Sequence, residues 1–238
     1  MEKTMSFVRA AVQKYDMIKK GDRIAVGVSG GKDSLFLLVA LHSLKRYYKE
    51  DFSIVAVTID PCFENKQTDF SEIEELCRRL KIPYHIKRTE LGKIIFDDRK
   101  EKNPCSLCAR MRRGMLHDLC NEYDCNKIAL GHHGDDAIET FFMNMFYGGN
   151  IACFSPVTYL SRKDITMIRP LIFCEDKQVR KIVRKLNLPV VKSACPVDGG
   201  TKRAEMTDFI DDLQKKFPDI KAKISGAIER GEISGWHT

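Results

Sequence analysis

Short apolar runs alternate with longer stretches of helical periodicity along most of this chain. Residues 24–28, 53–59, 83–86 and 127–130 are apolar or β-branched at most positions, which predicts strands buried on both faces. Between them, 35–48, 69–80, 107–121 and 137–146 carry apolar residues at helical spacing. Alternation of this kind predicts an α/β fold with a doubly wound parallel sheet and right-handed crossovers. In such sheets ligands bind beyond the carboxyl ends of the strands. A helical pattern over 5–18 precedes the first strand. After the last come a short strand from Ile165 to Arg169-Pro170, a helix over 175–186 and a polar loop over 192–202. A further helical region runs from Ala204 to about Ile228, and Phe217-Pro218 should break it. The division expected is an N-terminal helix over 1–20, a main α/β domain over 21–190 and a C-terminal cysteine loop with helical extension over 191–238, its tail from Gly231 mobile.

The first strand runs into Ser29-Gly30-Gly31-Lys32-Asp33-Ser34, which opens into the apolar stretch from Leu35. Paired glycines let backbone N–H groups approach an anion, and the helix N-terminus adds partial positive charge. Lys32 supplies a mobile cation, so the segment reads as a phosphate cradle. It is not of the Walker type: Gly27 to Gly31-Lys32 is one residue too short, and Asp33 stands where the magnesium-binding hydroxyl should follow the lysine.

The chain has no run of the roughly twenty apolar residues that a membrane span requires, and its first residues lack a signal-peptide pattern. With 238 residues it can bury a core without disulfide staples. Nine cysteines without an export signal place it in a reducing cytoplasm, where thiols pack, bind metal or catalyse. The net charge of +7 permits RNA binding without requiring it. The basic residues of 177–185 are spaced along one helix and read as a solvated face, whereas Arg110, Arg112 and Arg113 abut a cysteine pair.

That pair, Cys105-Ser106-Leu107-Cys108, is a metal or redox signature. Cys120 and Cys125 fall on core positions, whereas Cys195 stands in a polar, glycine-rich loop where a packing thiol would be out of place. Three thiolates of this kind suit an iron–sulfur cluster with one iron left open, while structural zinc normally takes four ligands. Gly131-His132-His133-Gly134-Asp135-Asp136 follows the fourth strand and opens a helix. The two carboxylates either cap that helix or, beside a phosphate cradle, hold magnesium against ATP oxygens.

Taken in order, Ser29–Ser34, the Cys105–Cys108 pair with its arginines, Gly131–Asp136 followed by Ala-Ile-Glu-Thr, and Arg169-Pro-Leu before Cys195-Pro196 resemble the TtcA family of tRNA 2-thiocytidine synthetases, a branch of the PP-loop ATP pyrophosphatases. The resemblance covers nearly the whole chain. It implies a PP-loop, HUP-like (adenine nucleotide alpha hydrolase-like) single domain with the C-terminal extension, and a [4Fe-4S] cluster on Cys105, Cys108 and Cys195. It implies ATP held by residues 29–34 and Gly131, with Lys32, Asp33, Asp135 and Asp136 as catalytic and magnesium-binding candidates. The activity implied is ATP-dependent tRNA sulfurtransfer, with tRNA on Arg110, Arg112 and Arg113, and sulfide or a cysteine desulfurase as sulfur donor. A homodimer is compatible with this reading. Thiouridine synthetases of the superfamily carry cysteine-rich zinc modules near both termini, and this chain has no cysteine before Cys62 or after Cys195. A lysidine-type tRNA ligase would need the cradle but no thiol triad, and a non-catalytic nucleotide-binding redox sensor would use both without turnover.

Overall fold

The computed structural model describes every residue except 1, 102, 198–201, 232, 234–235 and 237–238. Its centre is a six-stranded sheet in the order β3-β2-β1-β4-β6-β5. The strands are β1 (Arg23–Gly27), β2 (Ser53–Asp60), β3 (Tyr84–Arg88), β4 (Lys127–Ala129), β5 (Val157–Leu160) and β6 (Ile165–Ile168). All pairings are parallel except β5 with β6, which form an antiparallel hairpin at the edge. Periodicity did not reveal β5, because Val157-Thr-Tyr-Leu160 is only half-buried and carries no continuous apolar run.

Helices cover both faces. They are α1 (Glu2–Lys14), α2 (Lys32–Leu44), α3 (Ser71–Leu80), the short turn α4 (Leu91–Lys93) continued by a π-helical turn over Ile94–Asp98, α5 (Pro104–Glu122), α6 (Gly134–Gly148), α7 (Asp176–Lys185), α8 (Lys202–Lys216) and α9 (Ile220–Arg230). The sheet's two-residue period sorts the core. Ile24, Val26, Ile54 and Ala56 pack towards α1, α2 and α7. Ala25, Val55, Val57 and Ile59 pack towards α4 and α5. Loss of the N–H at Pro218 accounts for the break between α8 and α9.

The chain leaves β1 for β2 and β3 on one side, then returns to place β4 on the other side of β1. That reversal opens a crevice between the carboxyl ends of β1 and β4, where a doubly wound sheet binds its ligand. The expected mobile tail is corrected at Trp236, which is buried. Its indole Nε1 donates to the Phe154 carbonyl at 2.8 Å, and its own carbonyl accepts from Tyr15 Oη at 3.3 Å. Burying an indole with its one donor satisfied outweighs the freedom of a terminal segment. The other tail positions named, and residues 198–201 of the cysteine loop, lie largely outside the described residues.

Candidate active site

The loop from β1 to α2 is closed by Ser34. Its Oγ donates to the Gly31 carbonyl at 2.9 Å and accepts from the Ser29 backbone N–H at 3.1 Å. Gly30 adopts φ +87°, a left-handed conformation that glycine takes without strain. Gly131, at the end of β4, presses on the same loop from the other side. A Cβ there would lie 3.0 Å from the carbonyl carbon of Asp33 and from the Ser34 nitrogen, so any larger residue would press the two loops apart by a few tenths of an ångström. The N-terminus of α2, with its unpaired N–H groups, thus faces the crevice.

Lys32 turns towards α7. Its Nζ lies 2.8 Å from Asp33 Oδ2 and 2.7 Å from Asp176 Oδ1. Burial lowers the ammonium's pKa, but hydrogen bonds to Asp176 and Asp33 outweigh it and the pKa is raised. Asp33, His133 and Asp176 place donor atoms within 4.8 Å of one another, a group able to hold a cation, and the Lys32 ammonium bridges its two carboxylates.

His133 is the N-cap of α6. Its Nδ1 accepts from the Asp136 backbone at 3.3 Å, while its own N–H donates to Asp136 Oδ2 at 2.9 Å. Asp136 therefore does serve the helix start, and its other oxygen accepts from Arg203 Nη1 on α8 at 2.8 Å. Asp135 is engaged on both oxygens: Oδ2 accepts from the Asp176 N–H at 2.7 Å and Oδ1 pairs with Lys221 at 2.9 Å. It brackets α6, α7 and α9 together. Glu139, one turn on, is buried and takes Thr207 and Arg203 as partners at 2.9 and 3.2 Å.

A cavity of about 380 Å³ opens over the crevice. Its floor is apolar, with Val57, Ile59, Leu116 and Leu130, and Ser29, Asp33 and Ser34 form one wall. Opposite stands one face of α5, where Ala109, Arg112, Arg113 and Leu116 follow helical spacing. Arg110 points away from the cavity and is exposed. Cys105 and Cys108 occupy the first turns of the same helix. The loop after α7 is pinned to the cradle, because the Val191 N–H donates to the Gly30 carbonyl at 3.0 Å, and this brings Cys195 to α5. Burial pushes the Cys108 thiol up, Arg112 draws it down, and the nearby Cys195 and Cys105 push it up again.

Cys105, Cys108 and Cys195 are at least partly exposed, and Cys105 and Cys195 lie near enough to Cys108 to act on it electrostatically, while Cys77, Cys120, Cys125 and Cys174 are core residues. Cys120 Sγ donates to the Cys125 carbonyl at 2.9 Å, as a packing thiol does. A triad of thiols on one helix turn and one anchored loop is a donor set that suits an iron–sulfur cluster.

The sequence pattern does not single out Asp176 or Arg203. Asp176 had a legible signal, an acid opening a helix just beyond a strand end. Arg203 had none, since its place depends on how α8 folds back over α6.

A PP-loop domain profile matches residues 3–205. The fold and the cradle thus define a PP-loop protein. The tRNA-cytidine(32) 2-sulfurtransferase of Pelobacter propionicus is 39% identical over 224 residues, 93% of this chain and 82% of that protein. The one from Geobacter sulfurreducens is 36% identical over 230 residues, 95% of this chain and 89% of that protein. The chain belongs to the tRNA-cytidine(32) 2-sulfurtransferase family, as its motifs implied, and is an enzyme. Among solved structures it is similar to the U34-tRNA thiolase NcsA from Methanococcus maripaludis with its [4Fe-4S] cluster, with a TM-score of 0.79 and 27% identity over 98% of this chain and 80% of that one. NMN synthetase from Francisella tularensis shares the fold alone, with a TM-score of 0.51 and 16% identity over 88% and 86% of the two chains. Among the described residues no helix is long and apolar enough to cross a membrane.

Proposed function

We propose that this enzyme replaces the C2 oxygen of a tRNA cytidine, at position 32, with sulfur at the expense of ATP. The observation that carries the reading is a single cavity with a phosphate cradle on one wall and, on the other, the helix that bears the Cys105–Cys108 pair. Oxide is a poor leaving group, so the C2 oxygen first attacks the α-phosphate of ATP and pyrophosphate departs. Sulfide then adds at C2, and AMP leaves with the former base oxygen.

The N–H groups around Ser29–Ser34 hold the phosphates, and Lys32 leaves Asp176 to neutralise the departing pyrophosphate. Magnesium carried with ATP would be held by Asp33 and Asp136, the two carboxylates that line the cavity. The apolar floor suits the adenine ring. Cys105, Cys108 and Cys195 would hold a [4Fe-4S] cluster. When bound, such a group supplies a Lewis acid that lowers the pKa of sulfide. Arg112 and Arg113 offer contacts to tRNA phosphates at the cavity rim, with Arg110 extending the surface outward. Sulfide, free or released by a cysteine desulfurase, is the donor in this reading.

Product analysis tests it. ATP should give AMP and pyrophosphate in step with tRNA turnover, and Lys32→Ala should slow both by about a hundredfold or more. Stoichiometric ADP and phosphate would contradict adenylation.

A further inference from the structure

Arg169 follows β6 and is 6% exposed, yet no carboxylate lies within ion-pairing reach of its guanidinium among the described residues. Its hydrogens go to neutral partners: Nη1 to the Ser155 carbonyl and to Thr158 Oγ1 at 3.2 Å, and Nη2 to Met167 Sδ at 3.6 Å. The guanidinium also lies 4.8 Å from the Phe154 ring centroid, and His132 packs on that ring at 5.1 Å. Arg169 Nε and His132 Nδ1 are both buried without a hydrogen-bond partner. Both side chains line the 380 Å³ cavity, and so does Arg113, which likewise pairs with no described acid.

A buried guanidinium without a counter-ion costs free energy unless something neutralises it. Burial, together with the nearby charge of Arg113, lowers the Arg169 pKa to about 10. The two arginines therefore repel one another. An anion between them would reverse the sign of that interaction, and the orphaned donors would gain an acceptor. Phosphate is the anion whose geometry a guanidinium fork matches.

We infer that Arg113, Arg169 and His132 form a second anion subsite in the cavity, which takes a phosphate ester. The inference rests on the thiolation reading, whose two substrates both bring such a group: the α-phosphate of ATP and the backbone phosphate beside the target cytidine. His132, which burial holds neutral with a pKa of about 4, is able to donate to a phosphate oxygen or to accept from a base amine.

The test measures binding rather than turnover, on Arg169→Gln and Arg113→Gln proteins with α,β-methylene-ATP and with a tRNA transcript as separate probes. Loss of one guanidinium–phosphate contact should weaken one of the two ligands by about ten- to a hundredfold. A loss confined to the nucleotide assigns the subsite to the α-phosphate. A loss confined to tRNA, with a salt slope smaller by about one, assigns it to the RNA backbone. Unchanged affinity for both probes in a folded Arg169→Gln protein overturns the inference. If Arg169→Gln does not fold, Arg169→Lys takes its place, because tRNA loss in Arg113→Gln alone would follow from the rim contact already given to that residue. Wild-type protein that makes 2-thiocytidine while both variants bind normally would sink the subsite and leave the thiolation reading intact. Wild-type protein that never thiolates cytidine would sink that reading instead.

Discussion

Lys32 Nζ lies 2.7 Å from Asp176 Oδ1, a contact that ties the phosphate loop to the first turn of α7. Asp176 is shared, since it also accepts from Arg180 Nη2 at 2.8 Å, and its backbone N–H is held by Asp135. The lysine expected to meet phosphate is thus paired with two carboxylates. Nucleotide binding must exchange one anionic partner for another.

Removal of the competing partner should favour the nucleotide. Asp176→Asn is expected to bind ATP more tightly by about two- to fivefold, the range set by the modest worth of a partly exposed ion pair. Titration calorimetry with ATP checks it. Weaker binding would make Asp176 a contributor to the ATP site rather than a competitor.

The same carboxylate makes a signed pH prediction. Burial alone would raise its pKa, but hydrogen bonds from Lys32 and Arg180 lower it from 3.8 to about 2. A depressed acid stabilises the fold above its unfolded pKa, and that contribution fades as pH falls through the folded value. The stability difference between wild type and Asp176→Asn should therefore be full above about pH 4 and vanish towards pH 2. Urea unfolding across that window reads it. A difference that grew on acidification would contradict the pairing.

The sheet's parallel core was legible because strands buried on both faces need continuous apolar runs, as in Ile24–Val28. The cradle was legible because its residues are contiguous. The edge strand β5 was not, since it is only half-buried and leaves a weak pattern, whereas its partner β6 was. The pairings of Lys32 with Asp176 and of Asp136 with Arg203 were illegible for a different reason. Asp176 and Arg203 reach the crevice from α7 and α8, and no local rule sets how those helices pack. Asp135 and Asp136 show the limit most clearly: adjacent acids at the start of α6 tie it to α7, α8 and α9 through different contacts.

Arg203 joins α8 to the crevice through Asp136 and Glu139. Burial pushes the Glu139 carboxyl up, and Thr207 and Arg203 oppose that push. Arg203→Ala should cost about 1–2 kcal/mol, less than a fully buried pair because the arginine is partly exposed. Denaturant unfolding measures it. Glu139→Gln in the same background should recover part of the loss, and a purely additive double variant would show that the two do not interact.

The thiols divide by burial. Cys105→Ser, Cys108→Ser and Cys195→Ser should each abolish the broad visible absorbance of anaerobically reconstituted protein while the fold persists. Cys120→Ser should keep the absorbance and lose stability, because it places a hydroxyl among Leu116, Leu119 and Ile128 in the core. A Cys195→Ser protein with full iron content would remove that residue from the ligand set.

Cytidine thiolation itself is open to direct measurement. The most direct measurement incubates reconstituted enzyme with unmodified tRNA, magnesium-ATP and sulfide under anaerobic conditions, then resolves the nucleosides by mass spectrometry. The account predicts 2-thiocytidine at position 32, formed one-for-one with AMP and lost when Lys32 becomes Ala. Thiolated uridine in its place, or cytidine unchanged while ATP is consumed, would contradict it.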